Sequence, residues 1–103
     1  MKYELRVIPG CPNTAPALAL LRCALAAEGA TGEVRIVEVI TEEQAEMLGF
    51  HGSPSFIADG RDLFPTEAPP ALTCRVYRLS DRLAGLPALA NLQDAIHSTL
   101  TDA

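Results

Sequence analysis

The sequence predicts an α/β domain with the element order βαβαββα. Three observations carry that expectation. The hydrophobic period alternates between two residues and helical spacing along the first half of the chain. The segment "PSFIADGRDLF" then sets an Asp-Gly pair between two strand-like runs. The closing segment "LPALANLQDAIHSTL" returns to helical spacing.

Each element has a local reason. Tyr3, Leu5 and Val7 alternate with Lys2, Glu4 and Arg6, so residues 2–8 predict a strand with one less protected face. Thr14, Leu18, Leu21 and Leu25 fall at helical spacing over residues 14–28, and Gly29 stops that helix. The run "EVRIVEVI", residues 33–40, is rich in β-branched side chains and predicts a second, inner strand. "TEEQAEMLGF" opens with Thr41 as a cap, carries acids in its first turn and ends at Gly49, which predicts a short helix. A strand, the Asp59-Gly60 turn and a returning strand follow as an antiparallel hairpin. In the final helix Leu89, Leu92 and Ile96 share a face, with Pro87 near the start. Between hairpin and final helix lie a proline-rich stretch, residues 65–73, and "CRVYRL", which reads as an extra strand or a covering loop.

Composition narrows the function classes. A chain of 103 residues with 49% hydrophobic content fits one domain, residues 1–103, around one core. Its longest apolar-rich stretch, Ala15 to Ala27, is interrupted by Arg22 and is too short to cross a bilayer. The charged, alternating N-terminus has no signal-peptide character, so a cytoplasmic location is expected. A formal charge of −5 argues against nucleic acid or an anionic membrane as partner. The cysteines at 11, 23 and 74 lack zinc-site spacing, so neither a metal site nor another cofactor is expected. Their odd number, without an export signal, also argues against a disulfide-stapled secreted domain.

Cys11 is the leading candidate for chemistry. It stands directly before a helical run, where backbone N–H groups and the helix dipole favour a thiolate, the form that attacks disulfides and binds soft metals. Pro12 suits a first helical position, but Pro16 does not suit an interior one. Either the first turn is irregular, or regular helix begins after Thr14 and Cys11 sees a weaker dipole. The competing reading of Cys11 is a small buried hydrophobe in a turn.

The order of elements, with "CPNT" at the first strand-to-helix junction and "SPSFIADG" opening the hairpin, resembles the thioredoxin superfamily. "CPNT" is similar to the Cys-Pro-x-Cys of glutaredoxins with Thr14 in place of the second cysteine. "GCPN", "GSP" and "CRVY" are similar to small bacterial thioredoxin-like proteins catalogued beside alkylmercury lyases. The resemblance implies a central four-stranded mixed sheet flanked by helices. It also implies a cis bond before Pro54, with that proline facing Cys11 across a cleft, and a substrate that is a thiol or disulfide. Ser53 then offers its backbone to an extended thiol-bearing substrate as to an added strand.

Catalysis on this reading falls to Cys11, Thr14 and Cys74, and substrate binding to Pro12, Ser53, Pro54 and Arg75. Thr14 cannot resolve a mixed disulfide, though its hydroxyl can hydrogen-bond a thiolate. Cys74 is either the partner of Cys11, provided the α-carbons come within about 7 Å, or an inert residue starting a buried strand. Arg75 either holds an anionic group or is a surface charge. His51 either shades the Cys11 thiol or is a solvated loop histidine. Leu5 stands where thioredoxins keep a buried acid, and the glycine-rich segment with which glutaredoxins grip glutathione is missing after "IADG", which puts glutathione in doubt. Cys23 lies on a second apolar stripe with Pro16, Leu20 and Ala27, suited to packing against the final helix or a subunit contact. The expected state is a monomer or weak homodimer. Alternative functions are a thiol module binding soft metals or organomercurials and a scaffold without catalysis.

Overall fold

A computed structural model describes residues 1–101. In chain order it contains β1 (Tyr3–Val7), α1 (Thr14–Ala27), β2 (Val34–Glu38), α2 (Glu42–Leu48), β3 (Ser55–Ala58), β4 (Arg61–Asp62), β5 (Tyr77–Arg78), β6 (Leu83–Ala84) and α3 (Leu89–Thr101). The domain is α/β, with a four-stranded mixed sheet in the order β2-β1-β3-β4 and three helices. β1 runs parallel to β2, pairing Tyr3 with Val34 and Val7 with Glu38. It runs antiparallel to β3, pairing Leu5 with Phe56 and Arg6 with Ser55. The β3–β4 turn is the expected Asp59-Gly60 pair, both residues at positive φ, +48° and +82°, as a two-residue hairpin loop requires.

One face of the sheet builds the main core. Tyr3, Leu5 and Phe56 pack with Ala17, Leu21 and Ala24 of α1 and with Leu92 and Ile96 of α3. Small residues at 17 and 24 suit the close contact between α1 and α3. A hydrogen bond of 3.1 Å joins Glu28 Oε1 and His97 Nδ1 at the edge of that contact. A smaller cluster of Val39, Ala45 and Phe50 seats α2. That helix begins with a capping box, in which Thr41 Oγ1 accepts from Gln44 N–H at 3.1 Å and Gln44 Oε1 accepts from Thr41 N–H at 3.3 Å. It ends, as expected, at left-handed Gly49.

Several expectations are corrected. β2 is an edge strand and not an inner one, and its Ile36 is 45% exposed. Arg6, expected on the less protected face, is buried, because its Nε donates to Glu4 Oε1 at 2.8 Å and its Nη1 to Leu48 O at 3.1 Å. Leu89 opens α3 too far out to share the core with Leu92 and Ile96. Cys23 is exposed and is not among the residues of the main core cluster.

The stretch between β4 and α3 is both loop and strand. Residues 65–76 run past the loop before β3, where backbone hydrogen bonds join Ala71 to Phe50 and Thr73 and Arg75 to Ser53. β5 and β6 then form a separate two-stranded ribbon, pairing Tyr77 with Ala84 and Arg78 with Leu83. Among the described residues no helix is long and apolar enough to cross a membrane.

Candidate functional site around Ser53

Two successive turns present Cys11, each led by a proline. In the first, Cys11 N–H donates to Ile8 O at 3.2 Å across Pro9 and Gly10, and Gly10 takes φ +73°, which a type II turn needs at that position. In the second, Thr14 N–H donates to Cys11 O at 3.3 Å across Pro12 and Asn13. Regular helix starts only at Thr14, with Asn13 as its N-cap. Pro16 therefore falls in the first turn, where its missing N–H leaves nothing unpaired. The first intrahelical bond is Ala17 N–H to Asn13 O at 2.9 Å. The second of the two alternatives for Pro16 holds, and Cys11 stands before the helix.

Cys11 is buried, 9% exposed as a residue, and packs in the main core cluster. Pro12 beside it is exposed. Thr14 is half-buried, and its hydroxyl makes no hydrogen bond to Cys11 among the described residues. The β5–β6 ribbon reaches this turn as well: a Cβ added to Gly85 would lie 2.5 Å from Asn13 Nδ2, so only a glycine lets the ribbon approach so closely without moving Asn13.

Ser53 is the meeting point. The Ser53-Pro54 bond is cis, the isomer the resemblance implies, and both residues are buried. Continuing the β1–β3 register two residues beyond Arg6 and Ser55 brings Ser53 opposite Ile8. There Ser53 Oγ accepts from Ile8 N–H at 3.1 Å. On its other side Ser53 N–H donates to Thr73 O at 2.8 Å and Ser53 O accepts from Arg75 N–H at 2.9 Å, a parallel bridge that sets Cys74 directly opposite Ser53. Ser53 thus links the loop that carries Cys11 to the segment that carries Cys74. All three cysteines are free thiols, and Cys74 is exposed.

Arg75 is buried, so the surface-charge reading is corrected. Its Nη1 donates to Asp62 Oδ2 at 2.7 Å and to Ser55 Oγ at 3.1 Å, and its Nη2 to Phe64 O. Ser55 Oγ donates in turn to Gly52 O at 2.6 Å. The guanidinium lies 4.9 Å from the centre of the Tyr77 ring. Tyr77 stacks edge-to-face on Phe64 and Phe56, and its hydroxyl donates to Pro54 O. Burial pushes the Tyr77 phenol well above the ordinary tyrosine range; nearby Arg75 opposes that rise and Asp62 adds to it.

No protein-family model, curated protein or solved structure matches this chain. The site must be read from its own geometry. Beside Cys74 opens a cleft of about 620 Å³, with His51, Arg78 and Asn91 among its other walls. His51 is half-buried, and its Nδ1 is shielded from solvent without a hydrogen-bond partner, so it is not the solvated loop residue the sequence suggests.

Sequence reasoning singled out Ser53, Cys74 and Arg75 but missed Asp62, Phe64 and Tyr77, which fix the segment that carries Cys74. A signal existed. In "CRVYR" Arg75 and Tyr77 are buried while Cys74, Val76 and Arg78 are exposed, which is strand alternation with the polar residues turned inward.

Proposed function

We propose that the chain is a thioredoxin-like thiol-disulfide redox protein, with Cys11 as nucleophile and Cys74 as second thiol. The observation that carries this reading is the double attachment of Ser53, to Ile8 through its side chain and to residues 73–75 through its backbone. Cys74 stands opposite Ser53 in an isolated parallel bridge, the Ser53 hydroxyl accepts from the Ile8 amide, and the Ile8 carbonyl holds the Cys11 amide. The β2-β1-β3-β4 order, with β1 parallel to β2 and antiparallel to β3, supports the thioredoxin-like reading of the fold.

The chemistry balances with two thiols and one disulfide. Cys11 thiolate attacks one sulfur of R–S–S–R, forming Cys11–S–S–R and releasing RS⁻. Cys74 thiolate then attacks the Cys11 sulfur, expels the second RS⁻ and leaves a Cys11–Cys74 disulfide. The substrate gains two electrons and the protein loses them. An external low-molecular-weight thiol restores both cysteines. In the oxidising direction the same steps run in reverse.

Peptide mapping after mild oxidation tests the assignment. The expected product is a crosslink between Cys11 and Cys74, with Cys23 free. Cys74→Ser should accumulate mixed disulfide on Cys11, and Cys23→Ser should change neither result. Oxidation that joins Cys74 only to a second molecule, or leaves Cys11 reduced, would remove Cys74 from the cycle.

A further inference from the structure

Ser53 has no backbone group left for a substrate strand. Its N–H and C=O are both bonded to residues 73–75, at 2.8 and 2.9 Å. The rest of that edge of β3 is taken as well, by β4 at Ile57 and Ala58 and by Leu63 N–H on Phe56 O at 2.8 Å. The opposite edge of β3 belongs to β1. An extended polypeptide seeking to add itself as a strand at Ser53 meets a strand already present.

That resident segment is firmly held. Arg75 hangs on Asp62, Ser55 and Phe64, and Tyr77 on the Pro54 carbonyl. Gly52 lies so close beneath it that a Cβ there would sit 2.9 Å from Arg75 Cβ. Beyond it the β5–β6 ribbon closes over Asn13. What stays open is the cleft beside Cys74, and Cys11 offers only a small exposed area.

We infer that residues 73–75 act as a built-in strand that closes the Ser53 edge to peptides, so that the disulfides exchanged at Cys11 are small non-peptide molecules. The inference rests on the redox reading above, and it names the substrate class that reading leaves open. Cys11 thiolate attacks the small disulfide, a mixed disulfide forms on Cys11, and one small thiolate departs.

The test compares two probes with the same leaving thiol. One is bis(2-hydroxyethyl) disulfide. The other is a linear peptide of about ten residues whose single central cysteine carries 2-mercaptoethanol as a mixed disulfide. Both react with a Cys23→Ser, Cys74→Ser protein, in which Cys11 is the only thiol. The small probe should react at least about tenfold faster, the factor set by roughly two backbone hydrogen bonds that the peptide cannot make. Adding Tyr77→Phe, which removes the bond that ties the segment to the Pro54 carbonyl, should raise the peptide rate by about the same factor and leave the small-probe rate within about twofold. If Tyr77→Phe does not fold, Asp62→Asn, which loosens Arg75, takes its place and should shift the ratio in the same direction. Equal rates before the strand is loosened would overturn the inference while the redox reading stands. A peptide rate that stays low once Ser53 amide exchange has accelerated would overturn it too. Failure of both probes would defeat the redox reading and this inference with it.

Discussion

The two sides of the sheet are finished by different means. Along β2 the outer backbone stays open, and Ile36 and Ile40 are 45% and 62% exposed. Glu33, Arg35 and Glu38 set charges along that edge, a common guard against pairing with another chain. On the other side the backbone is covered in succession, by β4 at Ile57 and Ala58 of β3 and by residues 73–75 at Ser53, just before that strand. Regular strands spread their attachment over many equivalent bonds. The covering segment makes few bonds and concentrates them on Arg75 and Tyr77, so single substitutions should loosen it while the open edge tolerates change.

The largest contrast should come from Arg75→Ala. It leaves Asp62, only 14% exposed, without its cation, and strips partners from Ser55 Oγ and Phe64 O. Breaking a buried ion pair from one side costs about 3–5 kcal/mol, readable as a lower denaturation midpoint in guanidinium chloride. A loss below about 1 kcal/mol, the range of exposed ion pairs, would show that the covering segment is held mainly by its rings and backbone.

Tyr77→Phe should act in the same place and less strongly. Removing the hydroxyl leaves the buried Pro54 carbonyl without its donor, at a cost of about 1–3 kcal/mol. The same side chain makes stability depend on pH. Burial raises the phenol of Tyr77 and also that of Tyr3, to which Asp59 adds, so the folded chain keeps protons that the unfolded chain gives up. Stability contributed this way is complete below about pH 10, the unfolded tyrosine value, and falls above it as pH approaches the folded values. The chain has two tyrosines and no tryptophan, so tyrosinate absorbance reports on these residues alone. It should rise together with alkaline unfolding, and Tyr77→Phe should flatten the decline in stability. Ionisation of both tyrosines near pH 10 in the folded protein would contradict this.

The smallest effect belongs to the open edge. Ile36→Thr should change stability by no more than about 0.5 kcal/mol, as exposed positions usually do. A larger loss would mean that β2 is covered in solution, which sedimentation of the two proteins would reveal.

Local chemistry was legible where a residue's own preference decides the outcome. Thr41, Gly49 and the Asp59-Gly60 pair need only their backbone neighbours to act, and the apolar face of Leu92 and Ile96 survives into the core. What depends on distant partners was not. The β-branched run of β2 suggests an inner strand, yet its three charges belong to an edge, and composition does not decide which feature governs. Arg6 and Arg75 look like surface charges until Leu48, Asp62 and Phe64 arrive from elsewhere in the chain to satisfy them. β5 and β6, with two residues each, are too short for periodicity to register. Of the site, Cys11, Ser53 and Pro54 could be picked from short motifs. The occupation of the Ser53 backbone could not, because a hydrogen bond between main-chain groups leaves no trace in residue identity.

Gly52 is caught between two demands: a φ of +117°, which side chains with a Cβ rarely adopt, and the Arg75 backbone, whose Cα would stand 3.1 Å from any added Cβ. In the history of a lineage, these two positions are bound to drift together. A descendant that shortened or lost the stretch around Arg75 would lift the steric half of the constraint on residue 52, leaving only the backbone angle, which at +117° still favours glycine. Deep mutational selection on this chain should therefore rank Gly52 among its least permissive positions. Such a ranking would come from packing, although the glycine borders two residues of the site and invites a catalytic explanation.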